Sequence, residues 1–170
     1  MDKALASAPA KADKKNEKLT GWLGTYAALT ALGAMWTIIN LFRNNFDVLG
    51  DCGGKAGSIL KKFCADVTPP IIAEIVVGFI LAALAVVAVM LVYKRKKIAI
   101  PYVIIFEAVV LVWNIIDFAI ANAVLGPWAA KTGMNVTGRL VASLVIAVVQ
   151  AGIWIPFFIF SKKAKQELNQ

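Results

Sequence analysis

The stretch that decides the fold is residues 101–125, which read PYVIIFEAVVLVWNIIDFAIANAVL. This stretch is apolar and exceeds the roughly 20 residues that a transmembrane helix needs, yet it carries Glu107, Asn114 and Asp117. At about 100° per residue, these three side chains fall on one stripe of a helix surface. Because a carboxylate that faces lipid is costly, we expect the stripe to face other helices or water.

Three further apolar runs provide the helices that such a stripe requires. Hydrophobic residues make up 60% of the chain, whereas soluble proteins average about 45–50%. The sequence therefore predicts an all-α fold, an integral membrane four-helix bundle whose four-span domain occupies residues 19–165. The predicted spans cover residues 20–42, 71–93, 101–125 and 140–160.

The segments between and beside the spans are more polar. Residues 1–18 show no apolar period and are interpreted as a disordered basic tail, and residues 166–170 as a C-terminal tail. Residues 43–69 form the one sizeable loop, in which residues 57–67 have the spacing of a short amphipathic helix. Glu74 is expected in the first turn of the second span, where a carboxylate complements the helix dipole.

The distribution of lysine and arginine predicts the orientation of the bundle. Twelve of the 18 cations lie in the N-terminal tail, the second loop and the C-terminal segment, and six lie in the first and third loops. Cytoplasmic loops carry the excess of Lys and Arg in membrane proteins. We therefore expect both termini to face the cytoplasm (N-in, C-in) and the loop at residues 43–69 to face out.

The composition argues against several classes of function. The chain has no histidine and only two cysteines, so His-based catalysis, metal sites and iron–sulfur clusters are not expected. No nucleophile–base pair is visible, which argues against an enzyme, and we expect no cofactor. The net charge of +8 is interpreted as loop lysines that set topology and meet anionic headgroups, and not as a nucleic-acid footprint.

Cys52 and Cys64 bracket part of the first loop. The predicted outward orientation favours a disulfide between them, and Gly53-Gly54 gives the chain freedom to bring the two sulfurs together. A bond across so short a loop would contribute about 3 kcal/mol in the chain-entropy model. The alternative is that the two are unrelated small residues.

Glu107 lies in the inner half of its span. By helix rise it is at about the same depth as Tyr26 of the first span, and a hydrogen bond between them could satisfy both groups. No Lys or Arg lies near Glu107 except by snorkelling from the second loop, so Glu107 is the better candidate for a neutral, proton-exchanging acid. With Gln150 in the middle of the fourth span, these groups form either a proton or cation relay or a structural polar seam that fixes helix register.

Asp117 lies in the outer half of the same span, roughly level with Glu74. Arg139 begins the fourth span after a short loop, so the third and fourth spans are expected to be antiparallel neighbours. We expect Asp117 to form an ion pair with Arg139. Arg43, at the outer end of the first span, is the rival partner.

Three motifs resemble a known family. GWL opens the first span, KRKKIAIP at residues 94–101 joins the second and third, and IWIPFFIFSKKAKQEL at residues 153–168 ends the fourth. The residues that carry these motifs are Gly21, Trp22, Leu23, Pro101, Trp154, Pro156 and Ser161. The pattern resembles the small bacterial inner-membrane proteins grouped as domain-of-unknown-function family 2569. The chain departs from it where Phe157 or Phe158 replaces a tyrosine and KAK replaces RVK.

The family resemblance implies four spans and a multi-pass location in the bacterial cytoplasmic (inner) membrane, and it implies no established activity. Two functions are therefore weighed. The first is a non-enzymatic subunit or assembly partner of a membrane complex, because Gly21, Gly24, Ala28 and Ala31 of the first span permit close helix approach. The alternative is a small proton- or cation-coupled transporter or channel that uses the acids of the third span. The expected partners are the lipid bilayer and either another membrane protein or a second copy of the chain (a homo-oligomer).

Overall fold

A computed structural model describes residues 21–46, 58–132 and 136–168, apart from a few side chains within those ranges, among them that of Arg139. All regular structure in these residues is helical. The helices are α1 (Trp22–Asn40), α2 (Ser58–Tyr93), α3 (Ala99–Thr132), α4 (Val136–Phe160) and α5 (Lys162–Glu167), and a π-helical segment, Leu41–Phe46, extends α1.

The predicted all-α fold with four membrane-spanning helices is confirmed. Four stretches are long and apolar enough to cross a membrane, namely Trp22–Arg43, Phe63–Tyr93, Ala99–Pro127 and Val141–Phe160. These spans identify a multi-pass membrane protein. The cytoplasmic location of both termini stays a prediction.

Neighbouring helices along the chain pack side by side, α1 on α2, α2 on α3 and α3 on α4. We call the end where α1 begins, α2 turns into α3 and α4 passes into α5 the proximal end, and the opposite end the distal end. Gly78 allows α1 and α2 to approach closely, because a Cβ at this position would lie 2.7 Å from Leu41 Cδ1. At the proximal end α1 meets α4 through aromatic rings.

The buried core is concentrated at the proximal end, and all four long helices and α5 contribute to it. Steps of three and four residues place the inward side chains of α2 and α3 on one face of each helix. The buried members are Leu23, Tyr26, Ala85, Ala88, Val92, Ala99, Val103, Phe106, Trp154, Phe158, Ala164 and Leu168. Small residues on α2 let the larger rings of α1 and α4 fill the space between the helices.

Helix α2 begins well before the predicted second span. It runs through Pro69 and Pro70 without a break, so the second half of the expected loop at 43–69 is helical. The missing proline N–H groups leave the carbonyls of Ala65 and Asp66 without their helical partners, and both of these residues are exposed, where water can satisfy them. Glu74 therefore lies inside a helix, about four turns from its start, and not in a first turn as expected.

Helices α3 and α5 also extend the expected elements. Helix α3 continues past Pro127 to Thr132, which shortens the third loop. Beyond Ser161 the chain forms α5, and Leu168 packs into the proximal core. Packing on the bundle thus continues into the segment interpreted as a C-terminal tail, residues 166–170.

Candidate functional site

A carboxyl group is buried between α3 and α4. Glu107 is 1% exposed, and the Nε2 group of Gln150 donates a hydrogen bond of 3.5 Å to its Oε1. The side chain lies in the first half of α3, beyond the proximal core residue Val103. The carboxyl of Glu107 is therefore surrounded by protein atoms and has almost no contact with lipid or solvent.

Tyr26 of α1 brings a second polar group to Glu107. The tyrosine is fully buried, and its ring packs edge-on against Trp154 and Phe158 at centroid distances of 5.0 and 5.1 Å. Its hydroxyl lies beside the carboxyl of Glu107 and the hydroxyl of Thr30, yet it makes no hydrogen bond of standard geometry. We call Tyr26, Thr30, Glu107 and Gln150 the proximal polar cluster.

The rest of the predicted stripe is less enclosed. Asn114 and Asp117 are half-buried, as are Val110 and Ala121, which lie on the same face of α3. The Nδ2 group of Asn114 donates to the carbonyl oxygen of Val110 at 2.8 Å, so one of its amide hydrogens is bound by its own helix. Along this stripe, Glu107 is buried within the protein, whereas Asp117 is partly exposed at its surface.

Asp117 lines a small cavity at the distal end. The cavity has a volume of about 50 Å³ and lies between α2 and α3. Glu74 also lines it, and the other lining residues are apolar: Val67, Pro70, Ile71, Ile120, Ala121, Val124 and Leu125. Arg43 is exposed. The side chain of Arg139 lies outside the described part, so the ion pair between Asp117 and Arg139 stays a prediction.

Residues of the three family-like motifs meet at the proximal end. Gly21 precedes α1 with φ of 67°, a left-handed conformation that favours glycine. Trp22 packs edge-on against Trp154 with ring centroids 6.1 Å apart, and Leu23 is buried in the core. Distant parts of the sequence are thus joined by direct ring contact.

The remaining motif residues shape the helix ends. Pro101 lies in the first turn of α3 and is exposed, where its missing N–H has no helical partner to lose. Pro156 is exposed within α4, and the helix continues to Phe160. Ser161 caps α5, since its hydroxyl accepts a hydrogen bond of 3.1 Å from the backbone N–H of Ala164.

Sequence reasoning missed Thr30 and the buried end of α5. Thr30 is a buried polar residue four positions after Tyr26, a spacing that places both on one helix face. Ala164 and Leu168 have the same spacing after a capping serine, which was a signal for a short packed helix. Tyr102 was also missed, and its hydroxyl donates to the carbonyl oxygen of Leu84 at 3.1 Å.

The other predicted sites lie partly outside the described residues. Cys52 is not described, so its disulfide with Cys64 of α2 stays a prediction. Among the described residues, no group of three or more His, Cys, Asp or Glu side chains could hold a metal ion.

The comparisons with known proteins give a family and no activity. A family model described as "Protein of unknown function (DUF2569)" matches residues 16–167. The chain therefore belongs to this family, as its motifs implied. No curated protein and no solved structure matches the chain.

Proposed function

We propose that this member of the DUF2569 family is a non-enzymatic subunit or assembly partner of a membrane complex. In this proposal, α1 packs against a transmembrane helix of another protein or of a second copy of the chain. The single observation that carries the proposal is the uncovered small-residue face of α1.

This face is formed by Gly24, Ala28 and Ala31. Ala28 and Ala31 are exposed and Gly24 is partly exposed. By helix periodicity the face lies about 140° around α1 from the buried face that holds Tyr26 and Thr30. Contact with lipid does not require small residues, whereas close approach of a second helix does. The bundle's own packing therefore does not account for this face.

The test replaces the small side chains by large ones. We expect the double variant Ala28→Leu, Ala31→Leu to lower cross-linking to a partner helix at least tenfold, because leucine prevents the close approach. The measurement uses a photoreactive amino acid at Met35, an exposed residue one turn further along the same face.

Ala83 of α2 provides the matched control. It is also exposed, so Ala83→Leu makes the same change on another lipid-accessible face and should leave the cross-link intact. Equal cross-linking in the α1 variant and the wild type would contradict the proposal, as would an equal loss in both variants.

A second candidate function is a small proton- or cation-coupled transporter or channel. The observation that favours it is the proximal polar cluster, in which the buried carboxyl of Glu107 lies beside a buried hydroxyl, that of Tyr26, without a standard hydrogen bond. Groups of this kind inside a membrane protein commonly mark ion or proton pathways. The half-buried Asp117 would form the distal end of the path.

Proton flux into liposomes that contain the purified protein tests this candidate. If the cluster conducts, Glu107→Gln should reduce the flux at least tenfold, since the amide cannot exchange the carboxyl proton. Gln150→Leu removes the neighbouring amide, leaves the carboxyl and should retain more flux. The absence of wild-type proton flux above empty liposomes would reject a proton path through the cluster.

The proposed location is the bacterial cytoplasmic membrane, with the proximal end facing the cytoplasm. The support is the charge of that end, where Lys94, Arg95, Lys96 and Lys97 join α2 to α3, because cytoplasmic loops are enriched in Lys and Arg. A cysteine placed at Lys96 should be protected from a membrane-impermeant label in intact cells. Labelling at this position from outside the cell would show that the proximal end faces outward, opposite to the proposed orientation.

A further inference from the structure

We propose that the proximal end holds a binding surface for anionic phospholipid headgroups, built from two basic segments that the fold brings together. The segments are residues 94–97 and α5. This inference goes beyond the assembly role, because it assigns a lipid class to one end of the bundle whatever partner α1 has.

The first segment ends α2 in a Schellman motif. The N–H of Arg95 donates to the carbonyl of Val92 at 3.1 Å, and the N–H of Lys96 donates to the carbonyl of Leu91 at 3.1 Å. This pair of bonds places Arg95 at the position that usually holds glycine, and Arg95 has the left-handed φ of 51°. An arginine is disfavoured here by its backbone, and it is one of four consecutive cations at this connection.

The second segment is a helix fixed to the bundle. Ser161 caps α5, and Ala164 and Leu168 belong to the same buried cluster as Val92 and Ala99, which flank the first segment. The exposed residues of α5 include Lys162, Lys163 and Lys165. The packing of Ala164 and Leu168 thus holds α5 at the same end of the bundle as the connection between α2 and α3.

Together the two segments give the proximal end a strong excess of positive charge. They contain seven Lys and Arg residues, and Glu167 is their one acidic residue. Phosphate is the group that such a surface recognises, since each cation near an anionic membrane surface adds to binding.

Aromatic residues at the same end favour a lipid over a soluble acidic protein. Trp22, Tyr93 and Phe160 are 63%, 72% and 78% exposed, and each lies at the proximal end of its helix. Exposed aromatic side chains of this kind sit at the level of lipid headgroups. The cations and the rings therefore fit one occupant, a phospholipid with a negative headgroup and an apolar tail.

The test measures the thermal stability of the purified full chain in nanodiscs of phosphatidylcholine with or without phosphatidylglycerol, together with the retention of each lipid by native mass spectrometry. We expect phosphatidylglycerol to raise the wild-type Tm and to be retained preferentially. Lys163→Gln should lower this preference about fivefold, as expected for one cation at a membrane surface. The triple variant Lys162→Gln, Lys163→Gln, Lys165→Gln should lose the preference.

Two further variants separate lipid binding from folding. Lys61→Gln removes an exposed cation of α2 towards the distal end and should keep most of the preference. Lys96→Gln removes an exposed cation of the first segment, so its Tm in phosphatidylcholine should equal that of the wild type while its preference for phosphatidylglycerol falls about fivefold.

Three outcomes would overturn the proposal. One is an equal Tm rise with both lipids in the wild type. Another is an equal loss of preference in Lys163→Gln and Lys61→Gln, which would show a general charge effect. The third is stronger stabilisation by poly-glutamate than by phosphatidylglycerol at equal charge, which would assign the surface to an acidic protein.

Discussion

The proximal and distal ends of the bundle enclose their acidic residues in different ways. At the proximal end Glu107 is covered by α1, α3 and α4, and it lies beside Tyr26 and Gln150. At the distal end Asp117 is half-buried and borders a small, mostly apolar cavity with Glu74. Other residues of the protein enclose the carboxyl of Glu107, whereas Asp117 is also in part exposed to lipid or water.

The difference shows that one helical stripe contains two unlike sites. By helix rise, Glu107 lies about 12 Å and Asp117 about 27 Å from the start of α3. With the proximal end at one interface, the distance to Asp117 approaches the roughly 30 Å thickness of the hydrocarbon. Glu107 is therefore an interior group, and Asp117 lies near the opposite interface.

The largest expected effect tests whether the proximal end is the stable part. Phe158→Ala should lower the free energy of unfolding by about 3 kcal/mol, the low end for a buried aromatic residue, because the unfolded chain in lipid still shelters the ring. Phe160 lies on the same helix but is 78% exposed, so Phe160→Ala should change stability by less than about 0.5 kcal/mol. Steric trapping in bicelles measures both variants. Equal losses would mean that the proximal core does not dominate stability.

A smaller effect is expected at the distal end. If Asp117 pairs with Arg139, the variants Asp117→Asn and Arg139→Gln should each destabilise the bundle. The double variant should lose less than the sum, with a coupling of about 1 kcal/mol. The cycle with Arg43→Gln is the control, and coupling there instead would assign the partner to α1. Additive effects in both cycles would mean that Asp117 has neither arginine as its partner and is solvated or protonated.

The smallest expected effect concerns the hydroxyl of Tyr26. Because this buried group makes no standard hydrogen bond, Tyr26→Phe should change the free energy of unfolding by less than about 0.5 kcal/mol or stabilise the protein, as removal of an unsatisfied polar group does. Tyr102→Phe is the matched control, since it removes a hydroxyl that donates to Leu84 and should cost about 1 kcal/mol. A larger loss for Tyr26→Phe would show that its hydroxyl forms a hydrogen bond in the folded protein.

The parts of this fold that local sequence determines were predictable. Apolar length defined four helices, and counting depth along the first and third spans placed Tyr26 level with Glu107, which the structure places side by side. The start of α2 was misplaced because Pro69-Pro70 is a helix-start signal, whereas the helix continues through both prolines at a point where Ala65 and Asp66 are exposed. The packing of Leu168 depends on a surface formed by other helices, so its own segment carried little sign of it.

The central helices are longer than a bilayer is thick. The 36 residues of α2 extend about 54 Å at helical rise, and the 34 residues of α3 extend about 51 Å, against about 30 Å of hydrocarbon. The apolar spans within these helices, Phe63–Tyr93 and Ala99–Pro127, also exceed that thickness at about 1.5 Å per residue. A span longer than the hydrocarbon is accommodated by tilting, by kinking or by a local thickening of the bilayer. We therefore expect α2 and α3 to cross at a tilt, and the protein to favour the thicker of two membranes offered to it.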